Sequence, residues 1–205
     1  MASAFLAFHG LQFEAEPETQ SFMNLQLSRT AIEGVCILEP RVFRDPRGFF
    51  LESFSQRDFL ELGLENSWVQ DNHSRSTKGT LRGLHFQPEH PQAKLCRVAR
   101  GRVWDVAVDI RPDSPTFGQH VSVELSDENG KMLLVPRGLA HGFLVLSNEA
   151  DFLYKCDEFY FPDDQGHLKW NDEQLNIPWP LEGMTPILSA KDELAPTWDE
   201  LFGKN

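Results

Sequence analysis

The stretch Arg102-Val103-Trp104-Asp105-Val106-Ala107-Val108-Asp109-Ile110 constrains the fold most. Its strict alternation places Trp104, Val106, Val108 and Ile110 on one face and Val103, Asp105, Ala107 and Asp109 on the other, the period of a β-strand. Two acids on a face that also holds Val and Ala make it either a polar pocket wall or an exposed sheet face. Further short strands are expected over 34–38, 49–54, 119–125, 131–135, 142–146 and 151–159, with Gly, Pro, Asn and Asp between them. One short helix is expected over 56–62, capped by Ser55 and closed by Gly63. There is no βαβ alternation and no repeat of solenoid period. The fold class is therefore all-β, an antiparallel sandwich or barrel. From Trp170 the chain turns rich in Trp and Pro (Pro178, Trp179, Pro180, Pro186, Pro196, Trp198), which predicts an irregular C-terminal segment with short helical turns wrapped over the barrel.

At 205 residues the chain is long enough for one well-buried domain and short for two. Residues 1–22 show no sustained periodicity and read as an N-terminal extension, leaving a single domain over 23–205. The formal net charge of −12 argues against nonspecific binding to nucleic acid or to an anionic membrane. The charge is uneven, however. Residues 70–111 carry eight Lys/Arg against four Asp/Glu, a local +4 in a chain that is otherwise −16. Such an island suits an anion site, although a solvated strand edge gives the same count. Cys36, Cys96 and Cys156 are odd in number and lack metal-type spacing, so they read as small buried hydrophobes in a reducing compartment. No apolar run reaches membrane-spanning length, and no Lys or Arg precedes Arg29 as a secretory n-region requires. The expected location is the cytoplasm.

Within the basic island, Gly79-Thr80-Leu81-Arg82-Gly83-Leu84-His85-Phe86-Gln87 holds an arginine and a histidine three residues apart. Histidine can take and give protons near neutrality, and arginine offers a fixed fork of donors to an anionic oxygen. Read alone, the stretch is a loop with one surface His. Two segments resemble the paired motifs of the cupin superfamily. Gly130-x5-Pro136-x-Gly138-x2-His141 matches the second motif, with Val145 in place of its final Asn. Gly79-x5-His85 matches the first, with Gln87 where a second metal-ligating His belongs. Only His85 and His141 keep a ligand type, too few for a divalent metal site. The expectation is no metal, with the histidines free for acid–base work.

Seven words in order make the resemblance closer, over nearly all of 34–196. They are 43–50 (Phe-Arg-Asp-Pro-Arg-Gly-Phe-Phe), 70–74 (Gln-Asp-Asn-His-Ser), 81–85 (Leu-Arg-Gly-Leu-His), 105–111 with 114–118, 140–143 (Ala-His-Gly-Phe), Tyr154-Lys155 and 188–192 (Leu-Ser-Ala-Lys-Asp). On these the chain resembles the dTDP-4-dehydrorhamnose 3,5-epimerases. The resemblance implies a cupin-type jelly-roll β-barrel, a homodimer formed by strand exchange, a dTDP-4-keto-6-deoxyhexose substrate, and no cofactor. It also implies a catalytic base, His85, oriented by Asp192; a proton donor, Tyr154; and a stabiliser of the enolate oxygen, Lys94. Arg47, Glu52, Gln70, Asp71, Asn72, Arg82, His141 and Lys191 fall on its substrate-contact positions, and Tyr160 on an aromatic position that stacks on the nucleotide base. Gln165 stands where the family usually has Glu, which keeps an acceptor and loses a charge. Without the resemblance, Asp192 reads as a solvated residue of an acidic tail, Lys94 as an exposed strand lysine, and Tyr154 as a core phenol. The rival readings are a mono-epimerase that inverts one carbon, a noncatalytic sugar-nucleotide-binding cupin, and a metal-dependent cupin oxygenase.

Overall fold

Alternation in strands and turn chemistry between them are enough to build two sheets here. A computed structural model of the protein describes residues 24–203; the extension expected over 1–22 lies outside the described residues. The chain begins with β1 (Leu25–Arg29) and β2 (Cys36–Pro40), then a hairpin of β3 (Val42–Asp45) and β4 (Gly48–Leu51), then helix α1 (Gln56–Glu61). Strands β5 (Gln70–Thr77), β6 (Leu81–Phe86), β7 (Lys94–Arg100), β8 (Arg102–Asp109) and β9 (His120–Ser126) follow. After them come β10 (Met132–Val135), β11 (Leu139–Val145), β12 (Glu149–Cys156) and the short β13 (Gly166–His167), and then helices α2 (Ala190–Glu193) and α3 (Trp198–Phe202).

One sheet runs β1-β2-β10-β7-β12-β5 and the other β13-β6-β11-β8-β9, with antiparallel pairing throughout. Sequence neighbours such as β5 and β6 lie in different sheets, as a jelly roll requires. The face division read from β8 holds. Val103 and Ala107 enter the core between the sheets, with Cys96, Leu133, Phe143 and Phe152. Val106 and Val108 face the other way and are covered by Leu168, Leu175, Ile177 and Trp198 of the C-terminal segment. That segment wraps the five-stranded sheet as the Trp and Pro content predicts. Helix α1 starts at Ser55, whose side chain accepts from the Asp58 amide, and its Phe59 covers the outer face of the other sheet. Among the described residues no helix is long and apolar enough to cross a membrane.

Several strands differ from expectation. The 79–87 stretch is not a loop but largely strand β6; β1, β3, β5 and β13 are not among the expected strands, and β7 is expected only in that Lys94 reads as an exposed strand lysine. Strand β5 reads Gln-Asp-Asn-His-Ser-Arg-Ser-Thr, with no apolar residue to reveal its period. Strand β6 carries Gly83, which breaks a hydrophobic pattern but is required by packing. A Cβ on Gly83 would stand 2.5 Å from Gly142 Cα, and one on Gly142 would stand 2.7 Å from the Arg82 carbonyl oxygen. This close approach of β6 and β11, with a register shift between His141 and Phe143, sets His85 opposite His141.

Candidate active site

Between the sheets the polar residues of β5 take the place of a hydrophobic lining. Gln70, Asn72, Ser74 and Ser76 are less exposed than the alternating Asp71, His73 and Arg75. Two contiguous cavities of about 350 and 300 Å³ share Asn72, His85, Lys94 and Tyr154. The first also has Gln70, Gln87, Gln92, Tyr160 and Gln165 on its walls; the second has Arg82, His141 and Phe152. His85 comes from β6 of the five-stranded sheet, whereas Lys94 and Tyr154 come from β7 and β12 of the six-stranded one. The imidazole and the phenol therefore stand on opposite walls of one cleft.

Helix α2 delivers the partner of His85. Ser189 caps it, accepting from the Asp192 amide at 3.2 Å and donating its hydroxyl to Asp192 Oδ2 at 2.7 Å. Asp192 Oδ1 is left 2.5 Å from His85 Nε2, and the carboxylate is 3% exposed. Asp192 is thus not a solvated tail residue. Burial pushes its carboxyl up, but hydrogen bonds from His85 and Ser189 outweigh that and leave it below the usual range. With Nε2–H donated to Asp192, the tautomer of His85 has its lone pair on Nδ1. A second such pair lies deeper, where His141 Nε2 is 2.8 Å from Oδ1 of the fully buried Asp105. Both nitrogen–oxygen separations are those of a hydrogen bond, so each pair shares a proton.

The remaining cleft groups are tuned by burial. It holds the Lys94 ammonium below its ordinary pKa and pushes the Tyr154 phenol up to about 12. A phenol of that kind keeps its proton at neutral pH and yields it only to a strong base such as a developing carbanion. Burial also raises the thiols of Cys96 and Cys156, the latter to about 11, so both are unreactive and pack as small hydrophobes. At the rim, Gln165 Oε1 accepts from Tyr160 Oη at 3.3 Å and from Lys191 Nζ at 3.2 Å, so it keeps the acceptor role without the charge. Gln70 Oε1 accepts from the Tyr160 amide at 3.1 Å, and Arg82 Nε donates to Ser76 Oγ at 3.1 Å.

Three of the expected contact residues do not line the cleft of their own chain. Arg47 sits on the turn of the β3–β4 hairpin, exposed and paired with Asp45, and Glu52 follows the hairpin on the surface. Asp71 points away from the cleft by the alternation of β5 and accepts from Lys155 at 3.0 Å. Asp109, which shares a strand face with Asp105, is no pocket residue. It is buried in a turn, accepting from Arg111, Ser114 and Thr116. Ser189 escaped the reading of the sequence, although Ser-Ala-Lys-Asp carries the spacing of a helix cap.

Comparison with known proteins finds clear relatives of this chain. The family model described as dTDP-4-dehydrorhamnose 3,5-epimerase matches residues 29–200. The dTDP-4-dehydrorhamnose 3,5-epimerase of Salmonella typhimurium is 56% identical over 174 residues, 84% of this chain and 94% of that protein. A crystal structure of the Legionella pneumophila dTDP-6-deoxy-D-glucose-3,5-epimerase in complex with dTDP-4-keto-L-rhamnose superposes with a TM-score of 0.83 at 49% identity, covering 87% of this chain and 94% of that one. A 3'-monoepimerase from Streptomyces bikiniensis, solved with dTDP-quinovose, gives a TM-score of 0.78 at 34% identity over 85% of this chain and 89% of that one.

Proposed function

The chain belongs to the dTDP-4-dehydrorhamnose 3,5-epimerase family, and from that premise we propose how its cleft inverts C3 and C5 of dTDP-4-keto-6-deoxy-D-glucose to give dTDP-4-keto-L-rhamnose. The C4 ketone makes the hydrogens on C3 and C5 acidic, because the electron pair left by the proton is held as an enolate. His85 Nδ1 takes the proton, the C–H pair moving into the enolate, and Asp192 stabilises the imidazolium. Tyr154 then gives its proton to the same carbon from the other side, and solvent resets both groups. Lys94 stabilises the charge on O4, an electrostatic contribution of about several kcal/mol in a water-poor site. The step moves protons only and leaves the oxidation level unchanged.

The observation that carries this reading is the placement of His85 and Tyr154 on opposite walls, since inversion needs a base and an acid on the two faces of one ring. Arg82, His141, Gln70, Asn72, Tyr160, Gln165 and Lys191 bind the sugar nucleotide. Arg47 and Glu52 are assigned to the same ligand through a homodimer in which the β3–β4 hairpin crosses to the partner chain, whereas Asp71, on the outward face of β5, is not carried by that hairpin. Exposed Phe43, Phe49 and Phe50 on that hairpin support the exchange, and Arg47 does not line the cleft of its own chain. Sedimentation at the monomer mass of 23.4 kDa would refute the dimer. We read 23–205 as a single catalytic domain, supported by the family match over most of it, and place it in the cytoplasm, supported by three free cysteines.

The test is NMR of the protein with dTDP-4-keto-6-deoxyglucose in D₂O. Deuterium is expected at both C3 and C5, and His85→Ala is expected to abolish it. Incorporation by that variant at a rate near wild type would sink the assignment of the base. Deuterium at one carbon only would make the protein a mono-epimerase, and none at either would leave a binding protein.

A further inference from the structure

His167 has no part in the chemistry above, yet it stands against the base. It lies on β13 directly across from His85 on β6, and the two rings meet edge to face at 4.9 Å and 79°. Its Nδ1 is 3.7 Å from Asp192 Oδ1, the same oxygen that accepts from His85. That nitrogen is buried and has no hydrogen-bond partner. A buried polar atom without a partner is unfavourable, and a closing movement of about 0.7 Å would bring this one within bonding range of Asp192.

We propose that His167 is a positioning residue of the catalytic base: as the neutral Nδ1–H tautomer it donates to Asp192 Oδ1, holds the carboxylate between the two imidazoles, and draws off part of the charge that would keep a proton on His85. The inference rests on the epimerase reading of this cleft. The groups facing His167 are His85 on β6 and Asp192 and Lys191 on α2. Burial and the charges of His85 and Lys191 disfavour its imidazolium, against the pull of Asp192, so its pKa is lowered. Asp192 then serves one imidazolium rather than two. A carboxylate that already accepts from Ser189 and His167 stabilises a protonated His85 less than one left to His85 alone.

The experiment follows kcat/KM against pH, read as deuterium incorporation, for wild type, His167→Asn and His167→Leu. Asn places an amide N–H where Nδ1 stands and cannot be protonated; Leu fills the space without a donor. The Leu variant is expected to move the acid limb up by roughly half a unit to one unit, a three- to tenfold loss of rate below it, and Asn to restore the wild-type limb. An unmoved limb in the Leu variant, or equal movement in both, overturns the proposal. ¹⁵N-resolved imidazole spectra of the wild type provide a readout that needs no variant to fold. His167 should carry its proton on Nδ1 and stay neutral while His85 titrates; a proton on Nε2 alone, or protonation of His167 before His85, overturns the inference. Absence of deuterium incorporation by wild type would instead refute the epimerase reading, while the spectra would still decide the tautomer and the hydrogen bond.

Discussion

Replacing Asp192 with Asn removes one charge from the site and almost nothing else. The carboxylate is 3% exposed and its two oxygens face His85 at 2.5 Å and Ser189 at 2.7 Å. An amide of the same shape can keep its oxygen on His85 and turn its NH₂ toward Ser189 Oγ. What is lost is the anion beside the imidazolium that forms as the carbon gives up its proton. An opposite charge at such a distance raises a histidine pKa by roughly 1–3 units, about 1.4–4 kcal/mol. Should the amide turn the other way, its NH₂ would face Nε2 and force the proton onto Nδ1, removing the base altogether. The expected loss in kcat/KM is therefore about 10²–10⁴-fold, with the acid limb moved to lower pH because the imidazolium is less stabilised. The assay is the rate of deuterium entry at C3 and C5, with thermal unfolding run alongside to show that the fold is kept. Adding Asp192→Asn to His85→Ala should cost nothing more, because the two residues act as a unit. A variant that keeps activity within about threefold of wild type, or an acid limb that does not move, would refute the pairing as the source of basicity.

Tyr154→Phe removes the proton donor but leaves the base, so inverted product should fall by about 10²–10³-fold while deuterium exchange with retained configuration continues; an equal loss of both would remove Tyr154 from the role of acid. Gly142→Ala puts a methyl 2.7 Å from the Arg82 carbonyl, where backbone must move, and should destabilise the fold by about 1–3 kcal/mol in denaturant titration. Unchanged stability would show that β6 and β11 can part without cost. Burial pushes the Asp109 carboxyl up, but Arg111, Ser114 and Thr116 more than offset it and hold the group well below its ordinary pKa. The folded pKa lies under the unfolded value of about 3.9, so this stabilisation is complete above roughly pH 5 and disappears as pH falls through the folded pKa. The melting temperatures of wild type and Asp109→Asn should therefore differ at pH 7, with the gap beginning to narrow below about pH 4 and closing only as pH falls through the folded pKa; a difference independent of pH would contradict the linkage.

The parts of this molecule that were legible in its sequence are those where one residue's neighbours along the chain determine its environment. Strand β8 is buried on both faces, so its alternation is unbroken and the division of Val103 from Val106 could be read directly. Helix α1 carries its own cap in Ser55. Strand β5 was illegible for the opposite reason: its inward residues are polar because they face a cleft, and a cleft erases the apolar period by which strands are recognised. The same logic hides the dyad. Nothing near Asp192 in sequence distinguishes it from the acids around it; it becomes a partner because β6 and α2 meet, which brings residues 107 apart within 2.5 Å. Family resemblance reached Asp192 where local pattern could not, yet it gave no notice of His167, whose significance depends on β13 pairing with β6. Asp105 and Asp109 make the point from the other side. Local pattern places both on one face of β8, but only Asp105 meets a histidine in the cleft, because β11 runs beside it, while Asp109 is taken up by the turn that follows. Burial and alternation set which residues can face a pocket, and the crossing of chains from the two sheets decides which of them do chemistry there.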